Sequence, residues 1–142
     1  MTEREAAREA LDQIAAARRA TAERAASPRG YYTMAGAGMG VVMIGLGSEG
    51  WLRWVLYALG LLTVLGALTW YSRHTGIVAW ATLREPGSWR AWLMIAVALA
   101  GLGVSWLGLL AATIAAVVTV VSWSILGPRW DADWVRSLEE QP

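Results

Sequence analysis

The sequence predicts an all-α integral membrane protein, a four-helix bundle of two helical hairpins preceded by a cytoplasmic amphipathic helix. Three observations carry that expectation. The 142 residues are 56% hydrophobic and only 16% charged, with a mean hydropathy of +0.41, where a soluble domain has roughly 25% charged residues. The charge is segregated, since residues 1–30 hold six Arg and five acids whereas Val55 to Thr69 and Ala91 to Leu126 hold none. The ten tryptophans and four tyrosines gather where apolar runs begin and end, as they do at the boundary between headgroups and hydrocarbon.

Residues 1–30 form the first unit, a cytoplasmic helix and linker. "TEREAAREALDQIAAARRATAERAAS" is built from strong helix formers. Thr2 and Glu5 match a capping box, in which the hydroxyl serves a free amide and the carboxylate reaches back. Residues 1–12 carry two Arg against four acids and residues 13–30 four Arg against one, a gradient that suits the helix dipole. Ser27, Pro28, Arg29 and Gly30 end the helix. So charged an amino-terminal stretch fits a cleavable signal peptide poorly.

The membrane domain, 31–126, divides into spans at 31–47, 51–71, 89–105 and 109–126. Residues 91–126 would extend ~54 Å as one helix against a hydrocarbon core of about 30 Å. Two spans therefore fit better, turning at "GLGVSWLG". Gly36 and Gly40 form a G-x-x-x-G pair, which lets helix backbones approach closely. Ala112, Ala115 or Ala116, Thr119 and Ser122 make a similar small-residue stripe on the last span. Both sets are expected at packing faces, within one chain or between copies of a homo-oligomer.

Residues 127–142 form a cytoplasmic tail, with Gly127 and Pro128 expected to stop the last span. Trp130, Trp134 and Leu138 then give a short helix an apolar stripe suited to the inner interface. "GIVAWATL" at 76–83 is too short to span and is expected to dip into the same interface. Four spans put both termini on one side with Arg18, Arg19, Arg24, Arg29, Arg73, Arg84, Arg90, Arg129 and Arg136, leaving only Arg53 opposite. Arginine-rich flanks are cytoplasmic, so both ends are expected inside the cell.

"GLGSEG" at 45–50 has the G-x-G-x-x-G spacing of dinucleotide sites. Those sites also need a βαβ unit and an acid about 20 positions on, yet the next acid after Gly50 is Glu85. Gly45, Gly47 and Gly50 are expected instead to turn the chain between two spans. Glu49 and Arg53 lie at the outer edge at i,i+4 spacing and are expected to pair. His74 lacks companions for a metal shell, and Asp131 and Asp133 are expected to cap a helix. With no Lys, no Cys and one His, no nucleophile and base can be assembled. Catalytic, cofactor-binding and metal residues are expected to be none. A net charge of +1 implies no nucleic-acid partner.

At "ALDQIAAARRATAERAASPRGYY" and "YSRHTGIVAW" the chain resembles a group of small, uncharacterised actinobacterial multi-pass membrane proteins with an Ala/Arg-rich amino-terminal helix. The resemblance covers most of the chain and implies topology without an activity. The expected function is a non-enzymatic accessory or regulatory subunit. It would act through membrane helix packing and a protein partner held by its cytoplasmic helix, where Leu11 and Ile14 are apolar. The alternative is a small oligomeric transporter or channel, with Thr63, Thr113, Thr119 and Ser122 lining a path.

Overall fold

The computed structural model describes residues 3–25, 27–76 and 88–140, and among them the chain is helical with no strand. The helices are α1 (Glu3–Ala25), α2 (Tyr31–Gly47), α3 (Gly50–Thr75), α4 (Trp89–Ser105) and α5 (Leu109–Glu140). α3 and the Leu109–Trp134 part of α5 are long and apolar enough to cross a membrane, and α2 and α4 are shorter apolar helices. Thr2 and most of the loop expected to dip, 77–83, lie outside the described residues.

α2 occupies the middle because its glycines leave room on more than one face. Gly38 faces α3, where the carbonyl of Gly60 lies 3.1 Å from the point a Cβ on Gly38 would occupy. In return, a Cβ on Gly60 would lie 2.7 Å from both the Gly38 carbonyl and the Val42 amide nitrogen. Backbones this close exclude any side chain between them, and the gain is dispersion contact along the whole seam. Toward α5, α2 presents Gly36 to Trp123 and Gly40 to Ala116. Met43, fully buried, reaches across to Gly101 of α4.

The resulting order is α3, α2, α5, α4, with α2 also touching α4 and no comparable interface between α3 and α4. One apolar cluster joins Tyr31, Tyr32, Ala35, Ala67, Tyr71, Ala91 and Met94. Another joins Met43, Ala98 and Ala116. α3 buries only Gly60, Ala67 and Tyr71, a narrow stripe seven and four residues apart.

Three features depart from the sequence expectations. α3 runs past Tyr71 to Thr75, where Gly76 takes a left-handed φ of 69° and its amide donates to the Ser72 carbonyl at 3.0 Å. Gly45 and Gly47 lie inside α2 and do not turn the chain. Gly45 meets the α3 backbone at Tyr57, Gly47 meets Ala112, and the turn falls at Ser48 and Glu49. Close approach explains these two glycines.

The largest departure is in α5, which continues through Gly127 and Pro128 to Glu140. A proline in a helix interior removes one backbone bond and crowds the carbonyl four residues back, costing about 3 kcal/mol. Contacts with other elements offset that cost. Tyr32 packs against Gly127 so closely that any Cβ there would run into its ring. Beyond the proline, Asp131 and Asp133 are held by Ser27 and Arg90.

Candidate functional site

Gly36, Gly40, Ala112, Ala116 and Thr119 all lie within the packing of this chain. Gly47 faces Ala112 and Gly40 faces Ala116, while the buried Thr119 hydroxyl donates to the Met43 sulfur at 3.5 Å. Ser122 is half-buried. The hydroxyls of Thr63 and Thr113 donate to their own helices, at the carbonyls of Leu59 (2.9 Å) and Leu109 (2.8 Å).

Glu49 and Arg53 are not brought together as a pair. Glu49 precedes α3 with extended backbone (φ −117°, ψ 164°), so the i,i+4 adjacency of a helix does not apply to it. Arg53 instead turns its Nε to the Ser48 carbonyl at 2.8 Å. His74 is exposed in the last turn of α3. No group of three His, Asp or Glu side chains that could hold a metal occurs among the described residues.

The polar chemistry converges at the other end, where the end of α3, the starts of α2 and α4, and the late turns of α5 meet. Asp131 lies in mid-helix, so its carboxylate caps no helix start. It accepts the Ser27 backbone amide at 2.8 Å on one oxygen and the Ser27 hydroxyl at 2.8 Å on the other. The Ser27 hydroxyl has a single proton, and the charged acceptor takes it. The Tyr32 phenol, 3.3 Å from the same oxygen, is then the donor to Ser27.

Aromatic rings wall this carboxylate in. Tyr31 stacks against Tyr71 with centroids 4.8 Å apart and meets Tyr32 edge-on at 4.9 Å. Tyr32 in turn meets Trp130 edge-on at 6.4 Å. Trp130 and Trp134, one turn apart on α5, point into the junction, and Trp134 is buried. That differs from the expected stripe on the membrane interface, because the ring of Tyr32 meets Trp130 inside the junction and Trp134 lines the same void. The Leu138 side chain lies outside the described residues.

Between Tyr32, Tyr71, Trp130, Trp134 and Asp131 lies a void of about 10 Å³. A wider cleft of about 220 Å³ adjoins it, sharing Tyr32 and Asp131 and including Ser27 and Arg29 in its wall. A few residues away Arg90 pairs with Asp133 and donates to the Arg129 carbonyl at 3.2 Å. Trp123 donates its indole N–H to the Met94 carbonyl at 3.2 Å, fastening α5 to α4.

Sequence reasoning missed this junction because Ser27 and Asp131 are 104 positions apart and each has an ordinary local role. The available signal was the placement of Asp131 between two tryptophans, where a soluble tail has no need of them. No protein-family model, curated protein or solved structure matches the chain.

Proposed function

We propose that the chain is a multi-pass protein of the bacterial plasma membrane with four spans and both termini in the cytoplasm. In this reading it is a non-enzymatic accessory or regulatory subunit that engages a partner protein through α1. The membrane part is supported by large apolar side chains that the fold leaves exposed, among them Leu59, Leu62 and Leu65 of α3 and Leu110, Ile114 and Val117 of α5. Exposed to water, such a surface would cost roughly 25 cal/mol per Å². Acyl chains remove that cost.

The observation that carries the partner reading is the openness of α1. Every α1 side chain described is exposed, including Leu11 at 66% and Ile14 at 49%. These two lie three residues apart, on one face of the helix. A helix with an apolar face is a form in which a groove on another protein is met. α1 would extend ~35 Å, and an isolated helix gains most of its stability from packing. Docking would supply it.

The test is affinity capture from mild detergent with the full chain and with residues 1–26 deleted. Proteins recovered by the full chain and lost on deletion are the expected result. Recovery of the same proteins by both chains, or of none by either, overturns the partner reading.

A further inference from the structure

We propose that the junction around Asp131 is a headgroup site for a phosphoethanolamine unit, its primary ammonium entering the void and its phosphate lying in the adjoining cleft beside Arg29. The chemistry of the void selects a cation. Four aromatic side chains, Tyr32, Tyr71, Trp130 and Trp134, line it together with one carboxylate, and a carboxylate walled by rings favours a cation that can donate hydrogen bonds to it. Ser27 gives the Asp131 carboxylate two hydrogen bonds, and a carboxylate has about four acceptor positions. Capacity for an N–H donor remains.

Size narrows the ligand further. A void of about 10 Å³ admits about one water-sized group, which suits a primary ammonium nitrogen and rejects a trimethylammonium. A divalent cation would require several oxygen ligands, and a single carboxylate with the neutral hydroxyls of Ser27 and Tyr32 falls short of that set. Charge on the rim then separates phosphoethanolamine from a simple amine. The wider cleft shares Asp131 and Tyr32 with the void and carries Arg29, so an anionic group joined to the ammonium meets a guanidinium. Two opposite charges of the ligand find two opposite charges on the chain.

This inference rests on the membrane reading for one source of the ligand, the lipid phosphatidylethanolamine. Free O-phosphoethanolamine presents the same chemistry from solution. The experiment uses the full chain purified in detergent and moved into nanodiscs containing either phosphatidylethanolamine or phosphatidylcholine with identical acyl chains. Lipids retained by the protein are counted by native mass spectrometry.

Retention of phosphatidylethanolamine over phosphatidylcholine by about tenfold is expected, the worth of one hydrogen bond to a charged group. Asp131→Asn brings that ratio to near one, and Arg29→Gln on the exposed rim weakens retention of the same lipid severalfold. Competition by millimolar O-phosphoethanolamine shows that the headgroup alone suffices. Retention that resists competition assigns the source to the intact lipid. Equal retention of the two lipids by the unmodified chain overturns the site without recourse to any variant, as does a preference that survives Asp131→Asn.

Should the chain remain monodisperse in buffer without surfactant, the membrane reading fails separately. Binding of O-phosphoethanolamine in that buffer, measured by calorimetry and abolished by Asp131→Asn, would still support the site, and its absence would overturn it.

Discussion

Gly60 shows how much a single missing methyl group contributes. A Cβ at this position would lie 2.6 Å from Val42 Cγ2 and 2.7 Å from two backbone atoms of α2, and backbone inside a packed seam has little freedom to yield. Gly60→Ala is therefore expected to destabilise the fold by about 1–3 kcal/mol, the usual cost of overpacking. Gly103 has nothing within 4 Å of the same construction. There the substitution should be neutral or stabilising by up to about 1 kcal/mol, because alanine loses less backbone entropy in a helix. Thermal unfolding followed by tryptophan fluorescence in detergent compares the two, and equal losses would contradict the seam. The G-x-x-x-G spacing made Gly36 and Gly40 legible, whereas Gly38 and Gly60 pair across two helices and no pattern along one helix marks them. Asp131 poses the same difficulty. A double-mutant cycle between Ser27→Ala and Asp131→Ala should give a coupling of about 1–2 kcal/mol for a charged, half-buried hydrogen bond. Additivity within about 0.3 kcal/mol would show that the Ser27 hydroxyl bond contributes nothing to stability, since Ser27→Ala leaves the backbone amide bond in place.

The helices themselves were largely legible, since apolar runs with aromatic ends and glycine-rich turns fix where an apolar helix can begin and end. The starts of α2, α4 and α5 follow from such local signals. α5 did not stop where its Gly127 and Pro128 implied, because local propensity is a weak prior that tertiary contacts override. Those contacts make a prediction about the element. Pro128 is exposed and leaves the Ser124 carbonyl without its helical donor. Pro128→Ala restores the donor and is expected to stabilise α5 by about 1–3 kcal/mol, seen as slower amide hydrogen exchange from residue 124 to 134. A loss of stability instead would show that the local geometry imposed by the proline is what aims Asp131 and Trp134 into the junction. Arg90 and Asp133 contribute less to the same helix. Their side chains are 23% and 41% exposed, and half-exposed pairs give about 0–1 kcal/mol. Asp133→Ala should therefore cost less than Asp131→Ala, and the reverse order would shift the anchoring role to Arg90.

At the scale of the whole molecule, contacts at the two ends fix the relative direction of the hairpins. The turn after α2 approaches the turn before α5, where Gly47 meets Ala112 and Gly108. Tyr31, Tyr71, Arg90 and Trp130 gather at the opposite end with Ser27. Ser48 to Gly50 and Trp106 to Gly108 therefore share one face, and Arg29, Arg73 and Arg136 belong to the other. In the membrane reading the first face is outside the cell and the second inside, as the bias of arginines dictates. The absence of cysteine from the chain makes the prediction clean, because any introduced thiol is the only one. Glu49→Cys and Leu107→Cys, both exposed positions, should react with a membrane-impermeant maleimide added to intact cells. Arg29→Cys and Arg136→Cys, exposed as well, should react only after permeabilisation. Labelling of Arg29→Cys in intact cells with Glu49→Cys protected would invert the orientation while keeping four spans. Labelling of Arg29→Cys and Arg136→Cys from opposite sides would require an odd number of crossings, and the pairing of two hairpins would then fail as a description of how this chain meets a bilayer.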